Sequence, residues 1–271
     1  MDFCIGTGGL NSNYEQEYEK IFFYSIQKNI PIHTSLDYPY IESYFNQAFK
    51  ENIGKPLVIV KVFINRNPIK KIINIPKQIQ KILDKLKIDK VHALQICNNP
   101  SYKFYNNKLI DLIFKNLKKK QVVENLYFDT HYDYNENLLN YINNEIYNGY
   151  ISTYNLFNRG ISNELYNKII LNNKNIIAIS PVNITKILDN INEIDIKILH
   201  SLKKKYDFYD LQCLSLAYLN SIKINRVILG TKKFKRLINQ IDFINKNVVL
   251  NSESLFKIKK IQKKIEYFNG Y

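Results

Sequence analysis

Short apolar runs alternate with longer segments of helical period along the whole 271-residue chain. Eight runs are candidate strands: Phe3–Ile5, Pro31–Thr34, Leu57–Phe63, Val91–Cys97, Val123–Phe128, Tyr150–Thr153, Asn175–Ile179 and Arg226–Leu229. Several are apolar at nearly every position, the pattern of parallel strands covered by helices on their outer face. The segments between them carry helix signals. Tyr18, Phe22 and Ile26, then Ile79, Leu83 and Leu86, then Phe234, Leu237, Ile238 and Ile241 fall at spacings that gather them on one helical face. Ser12 and Glu15 have the spacing of a capping box, which predicts a helix start there. Leu255–Phe268 predicts a final basic amphipathic helix. Strand then helix, repeated eight times, predicts an α/β fold closed as a (β/α)8 TIM barrel. No linker or composition break interrupts the pattern, so residues 1–271 are expected to form a single domain.

Composition narrows the function. With 45% hydrophobic residues the chain can bury a sizeable core without disulfides. Cys4, Cys97 and Cys213 are odd in number and match no metal-ligand spacing, which predicts free thiols in a reducing compartment and no metal. No run approaches the roughly eighteen apolar residues of a membrane span. The opening Met1-Asp2-Phe3-Cys4 lacks the basic and apolar regions of a secretory signal, so a cytoplasmic location is expected. The net charge of +15 raises the question of nucleic acid. Lysines are scattered over most amphipathic segments, however, and Asn, Ile, Lys, Tyr and Phe are enriched together, as AT-rich codon usage would produce. Dispersed charge makes a diffuse field without a binding stripe, and no nucleic-acid partner is expected.

In a β/α barrel the chemistry sits at the C-terminal ends of the strands. The first strand ends in Gly6-Thr7-Gly8-Gly9, three of the eight glycines, where bare backbone can approach a ligand. The second runs into His33, then Asp37 and Tyr38. The third holds Lys61 between valines, and the fourth ends at Asn98-Asn99-Pro100. After the eighth come Gly230, Thr231, Lys232 and Lys233. A lysine on a core strand must pair or change its protonation, unless its stem lets the ammonium escape at the strand end. A cation beside a phenol stabilises the phenolate, which makes Tyr38 with Lys61 a candidate proton donor.

These segments together resemble the aldo-keto reductase family over nearly the whole chain. Ile5-Gly6-Thr7-Gly8 resembles its opening glycine turn, and Ile32–Tyr38 with Glu42 its Asp-Thr-Ala-x-x-Tyr-Gly-x-x-Glu segment. Lys61 falls at the family's strand-3 lysine, and Leu83–Pro100 resembles the stretch ending His-x-Pro. Tyr154–Arg159 is close to Tyr-Asn-Leu-x-x-Arg, and Asn175–Val182 resembles the segment ending Ala-Tyr-Ser-Pro-Leu. Val227–Gln240 resembles the closing phosphate and adenosine-binding segment.

The resemblance implies an NADP(H)-dependent reduction of a small-molecule carbonyl to an alcohol. Tyr38 would be the proton donor and Lys61 its helper. The family's Asp position, which pairs with the lysine, holds His33, and its His position holds Asn98. Asn98 still offers an N–H donor to a carbonyl oxygen. His33 brings no negative charge, so Lys61 would lose its proton more easily or borrow Asp37, which can equally be a solvated loop acid. In the nicotinamide half, Ile179 replaces an aromatic platform, Asp129 a serine and Ile151 a glutamine. The resemblance assigns cofactor contacts to Gly6, Thr7, Asn155, Ser180, Gly230, Thr231, Lys232, Arg236 and Gln240. Arg236 would meet a 2′-phosphate and Gln240 adenine. Two further readings stand beside the reductase. One is a catalytically impaired barrel that binds a nucleotide or phosphorylated ligand as a sensor or assembly partner. The other is a non-redox enzyme with His33 as general base.

Overall fold

A computed structural model of the chain describes residues 1–8, 14–35, 38, 41–51, 54–63, 68–97, 107–130, 145–184, 188–189 and 191–268. Eight parallel strands close on themselves in chain order: β1 Asp2–Gly6, β2 Ile32–Thr34, β3 Val58–Phe63, β4 Val91–Cys97, β5 Val123–Asp129, β6 Gly149–Thr153, β7 Asn175–Ile179 and β8 Arg226–Leu229. Closure is made by β1 and β8, with Asp2 opposite Arg226 and Ile5 opposite Leu229. The expected (β/α)8 barrel is the observed fold, and three of the eight strands have the boundaries read from the sequence.

The helices around it are α1 Glu15–Gln27, α2 Ile41–Lys50, α3 Pro68–Ile73, α4 Ile75–Leu86, α5 Asn107–Lys119, α6 Asn163–Leu171, α7 Glu193–Lys205, α8 Leu211–Ser221, α9 Phe234–Asn245 and α10 Ser252–Phe268. The predicted stripes turn inward. α1 buries Tyr18, Phe22 and Ile26, and α4 buries Ile79, Leu83 and Leu86. Side-chain caps start several of the helices: Ser162 accepts from Leu165 N–H, Asn192 from Asp195 N–H and Asp210 from Cys213 N–H. Ser12 lies outside the described residues, and the N-cap is Tyr14 with no side-chain cap bond. Glu15 is thus the first helical residue, and a reach-back acid must stand three residues in.

Inside the barrel, alternate residues of each strand face the axis. The lower interior is apolar: Cys4, Ile59, Ala93, Tyr127, Ile151, Ile177 and Ile228 pack together. One step up toward the strands' C-terminal ends, the same alternation brings in His33, Lys61, Gln95 and Asp129 from four consecutive strands, β2 to β5. Lys61 and Gln95 are direct register partners. The outward-facing Val58, Val60, Val62, Leu94 and Ile96 join the main core under the helices.

Candidate active site

The polar layer is organised by one buried glutamine. Gln95 is 0% exposed, and its amide bridges two residues. Its Nε2 donates to Asp129 Oδ2 at 2.9 Å, and its Oε1 meets His33 Nε2 at 2.5 Å. A carboxylate only accepts, so the NH2 must face Asp129 and the carbonyl must face His33. His33 therefore donates from Nε2. Burial, reinforced by the Lys61 cation and only partly offset by the bond to Gln95, pushes its pKa down to about 3. His33 is a neutral donor, which argues against the reading of a general base working near neutrality.

In the same layer Lys61 Nζ donates to Tyr38 Oη at 2.9 Å and lies 5.6 Å from the ring centroid. Burial works against the ammonium, but the bond to Tyr38 and the proximity of Cys97 and Asp129 outweigh it, holding Lys61 above the usual lysine range. An ammonium has no lone pair, so Tyr38 Oη is the acceptor of that bond and its own O–H points elsewhere. Cys97, at the end of β4, is kept a thiol by burial and by Asp129 beside it.

These groups open into a cavity of about 540 Å³ at the C-terminal mouth of the barrel, a size suited to a small ligand. Gly6, Gly8, Tyr38, Lys61 and His33 line one part, and Ile179, Ser180, Val182, Gly230 and Arg236 another. A Cβ at Gly8 would lie 3.9 Å from Tyr38 Oη, and one at Gly230 would meet nothing within 4 Å, so bare backbone faces the cavity at both places. Ser180, just past β7, holds a positive φ of 56° that turns the chain across the rim.

The other residues expected to touch a cofactor have varied surroundings. Thr7 hydrogen-bonds Thr34 Oγ1 at 2.9 Å and the His33 carbonyl at 3.1 Å, tying β1 to β2. Asn155 is committed to the backbone: Oδ1 accepts from Phe157 and Asn158, and Nδ2 donates to the carbonyls of Ser180 and Asn183. Those four bonds fill its inventory, so it holds the rim loop in shape and offers a cofactor no unused atom. Ile151 belongs to the lower apolar layer. Thr231 accepts from Lys233 N–H, and Lys232 Nζ sits 5.3 Å from the Tyr14 ring. Gln240 is 1% exposed, and neither end of its amide has a partner among the described residues. Asn98 and Asp37 lie outside the described residues.

The basic corner differs from expectation at one point. The first backbone N–H of α9, at Phe234, donates to Glu17 Oε2 at 2.7 Å. That bond, together with Lys20 and Lys233, holds the Glu17 carboxyl below its usual range despite some desolvation. The head of α9 thus already carries an anion from α1, and of the described cations of this corner Arg236 lines the cavity.

Sequence reasoning passed over Gln95, Cys97 and Gln212. A polar residue inside the apolar run Val91–Cys97 is the same signal that singled out Lys61, and it marks Gln95. Gln212 lines the cavity from the first turn of α8, and its Oε1 has no partner among the described residues. Among those residues no three His, Cys, Asp or Glu side chains gather as metal ligands do, and no helix is long and apolar enough to cross a membrane.

No family model and no curated protein matches the chain. Solved structures do. An aldo-keto reductase from a Medee basin deep-sea metagenome library is 18% identical, with a TM-score of 0.73 over 96% of this chain and 90% of that one. A thermostable aldo-keto reductase solved with the inhibitor epalrestat is 16% identical, with a TM-score of 0.75 over 96% and 94%. An aldo-keto reductase of the silkworm Bombyx mori, solved in complex with NADPH, is 15% identical, with a TM-score of 0.74 over 96% and 83%. The chain has the (β/α)8 barrel that these aldo-keto reductases share.

Proposed function

We propose that this protein reduces a small-molecule carbonyl to an alcohol with NADP(H), Tyr38 giving the proton and Lys61 assisting it. The observation that carries the reading is the 2.9 Å bond from Lys61 Nζ to Tyr38 Oη at the wall of the cavity. Because that bond uses the oxygen as acceptor, the Tyr38 proton is left to donate to a carbonyl oxygen in the cavity. As the proton leaves, charge develops on the phenolate, and the Lys61 ammonium is already placed to stabilise it. Phe63, Ile179 and Val182 give part of the same cavity wall an apolar surface.

The residues present fit a dinucleotide. The unpartnered Gln212 Oε1, the bare backbone of Gly230 and the Arg236 guanidinium all line the cavity and are groups a nucleotide would satisfy. When bound, its nicotinamide would supply the hydride. Ile179 would offer dispersion contact in place of ring stacking. Glu17, at the head of α9, leaves Arg236 to recognise a 2′-phosphate and disfavours a phosphate at the Phe234 N–H.

The test is NADPH fluorescence quenching with purified protein, followed by NADPH oxidation against an aldehyde panel. Tyr38→Phe is expected to bind NADPH as before and to lose roughly 10²–10⁴ in turnover, the usual worth of a general acid. Undiminished turnover in Tyr38→Phe, or no NADPH binding at millimolar concentration, would overturn the reading.

A further inference from the structure

Lys61 is a largely buried cation, and such a charge is costly to hold without an opposite one nearby. On β2 the residue of the polar layer is His33, which is neutral and committed to Gln95. Among the described residues, the titratable groups that bear on Lys61 are Tyr38 after β2, His33 on β2, Cys97 on β4 and Asp129 on β5, with Arg236 lining the same cavity from α9. Cys97 stays protonated. Asp129 is the carboxylic acid in this set. It lines the cavity with Lys61 and is 6% exposed.

Two linked hydrogen bonds that lead to Asp129 share one direction. His33 Nε2–H donates to Gln95 Oε1, and Gln95 Nε2–H donates to Asp129 Oδ2. Both bonds point their protons toward the carboxylate, so each polarises the next in the sense that stabilises negative charge there. We propose that Asp129 is the counter-charge of Lys61, supplied from β5 instead of β2, and that Gln95 is the positioning residue that holds it, with its own orientation fixed by His33. The carboxylate that the sequence lacks at position 33 is thus displaced across the barrel, and the neutral donor at 33 becomes a requirement of the new arrangement. An acceptor at 33 would face the Gln95 carbonyl.

The inference deepens the reading of Tyr38 and Lys61 as an acid pair, but its test needs neither cofactor nor carbonyl. With lysine side chains 13C-labelled, the Lys61 signal is identified by its loss in Lys61→Met, and its titration is followed by NMR. Asp129→Asn is expected to lower the Lys61 pKa by about one pH unit or more, Gln95→Leu to lower it less, and Asp129→Glu to keep most of it. In the unmodified protein the Asp129 13Cγ signal is expected to move through the same step as Lys61. An unchanged Lys61 titration in Asp129→Asn would overturn the proposal. If that variant does not fold, an Asp129 signal indifferent to the Lys61 step would overturn it equally. A protein that shows the coupled step yet never oxidises NADPH would sink the reductase reading and leave this one standing.

Discussion

Placing an aspartate at position 33, where the family resemblance expects one, is predicted by the structure to do harm on its own. In His33→Asp the new carboxylate meets Gln95 Oε1, where His33 now donates at 2.5 Å. Gln95 cannot turn over to help, because its NH2 is held by Asp129 at 2.9 Å. A bond is lost and two acceptors face each other in a buried layer, which costs about 1–3 kcal/mol. For a chain of this size that is a fall in Tm of roughly 4–8 °C at the middle of the range. With Asp129→Asn in the background the conflict disappears. Gln95 can then reverse, giving its NH2 to the carboxylate newly placed at position 33 and its carbonyl to the amide newly placed at position 129. In the double variant, as in the parent, the layer holds one carboxylate. The four proteins of this cycle, unfolded by urea at pH 7, should show a coupling of about 2 kcal/mol, the double variant being more stable than the sum of the singles requires. Additivity within about 0.5 kcal/mol would refute the account of the layer.

Three further outcomes follow from other parts of the molecule. The pKa of His33 is about 3 in the folded protein, against about 6.5 when exposed. The unfolded chain therefore binds more protons between these values, and stability rises with pH through that window. Urea unfolding should show full stability above pH 6.5 and a loss of several kcal/mol toward pH 3, with His33→Gln lacking that share. A Cβ at Gly160 would fall 2.6 Å from Ser152 Oγ and 2.8 Å from the Thr153 carbonyl. Gly160→Ala is thus expected to cost about 1–3 kcal/mol in thermal unfolding. Asp210 caps α8 through Cys213 N–H at 2.9 Å. Asp210→Ala should cost about 1 kcal/mol by the same measurement, while Asp210→Asn should cost little.

The barrel was legible because its strands are buried on both faces and separated by polar helices of matching period. Val91–Cys97, Asn175–Ile179 and Arg226–Leu229 could be delimited to the residue. Lys61 was legible for a local reason, a charge among valines. The layer it belongs to was not, because which residues share a level depends on strand stagger, a property of the closed sheet. Proximity along the chain nominated Asp37, which lies outside the described residues, and it could not nominate Asp129, which enters the same cavity from two strands beyond β3. Glu17 and Phe234 lie 217 residues apart, and no local pattern announces their bond. Ser12 of the expected capping box lies outside the described residues, and helix α1 starts at Glu15.

The closure of the sheet also sets an order on assembly. β1 finds its second neighbour only in β8, and Glu17 finds its N–H only in α9. Contacts of such sequence separation carry a loop-closure cost that delays them during folding. The residues of the polar layer and Lys61 all come from β2 to β5, which a chain leaving the ribosome possesses long before residue 226. Gly6 and Gly230, which line the ligand cavity from the two ends of the sheet, are brought together last. A nascent chain therefore carries His33, Lys61, Gln95 and Asp129 before the cavity they line or support has been closed.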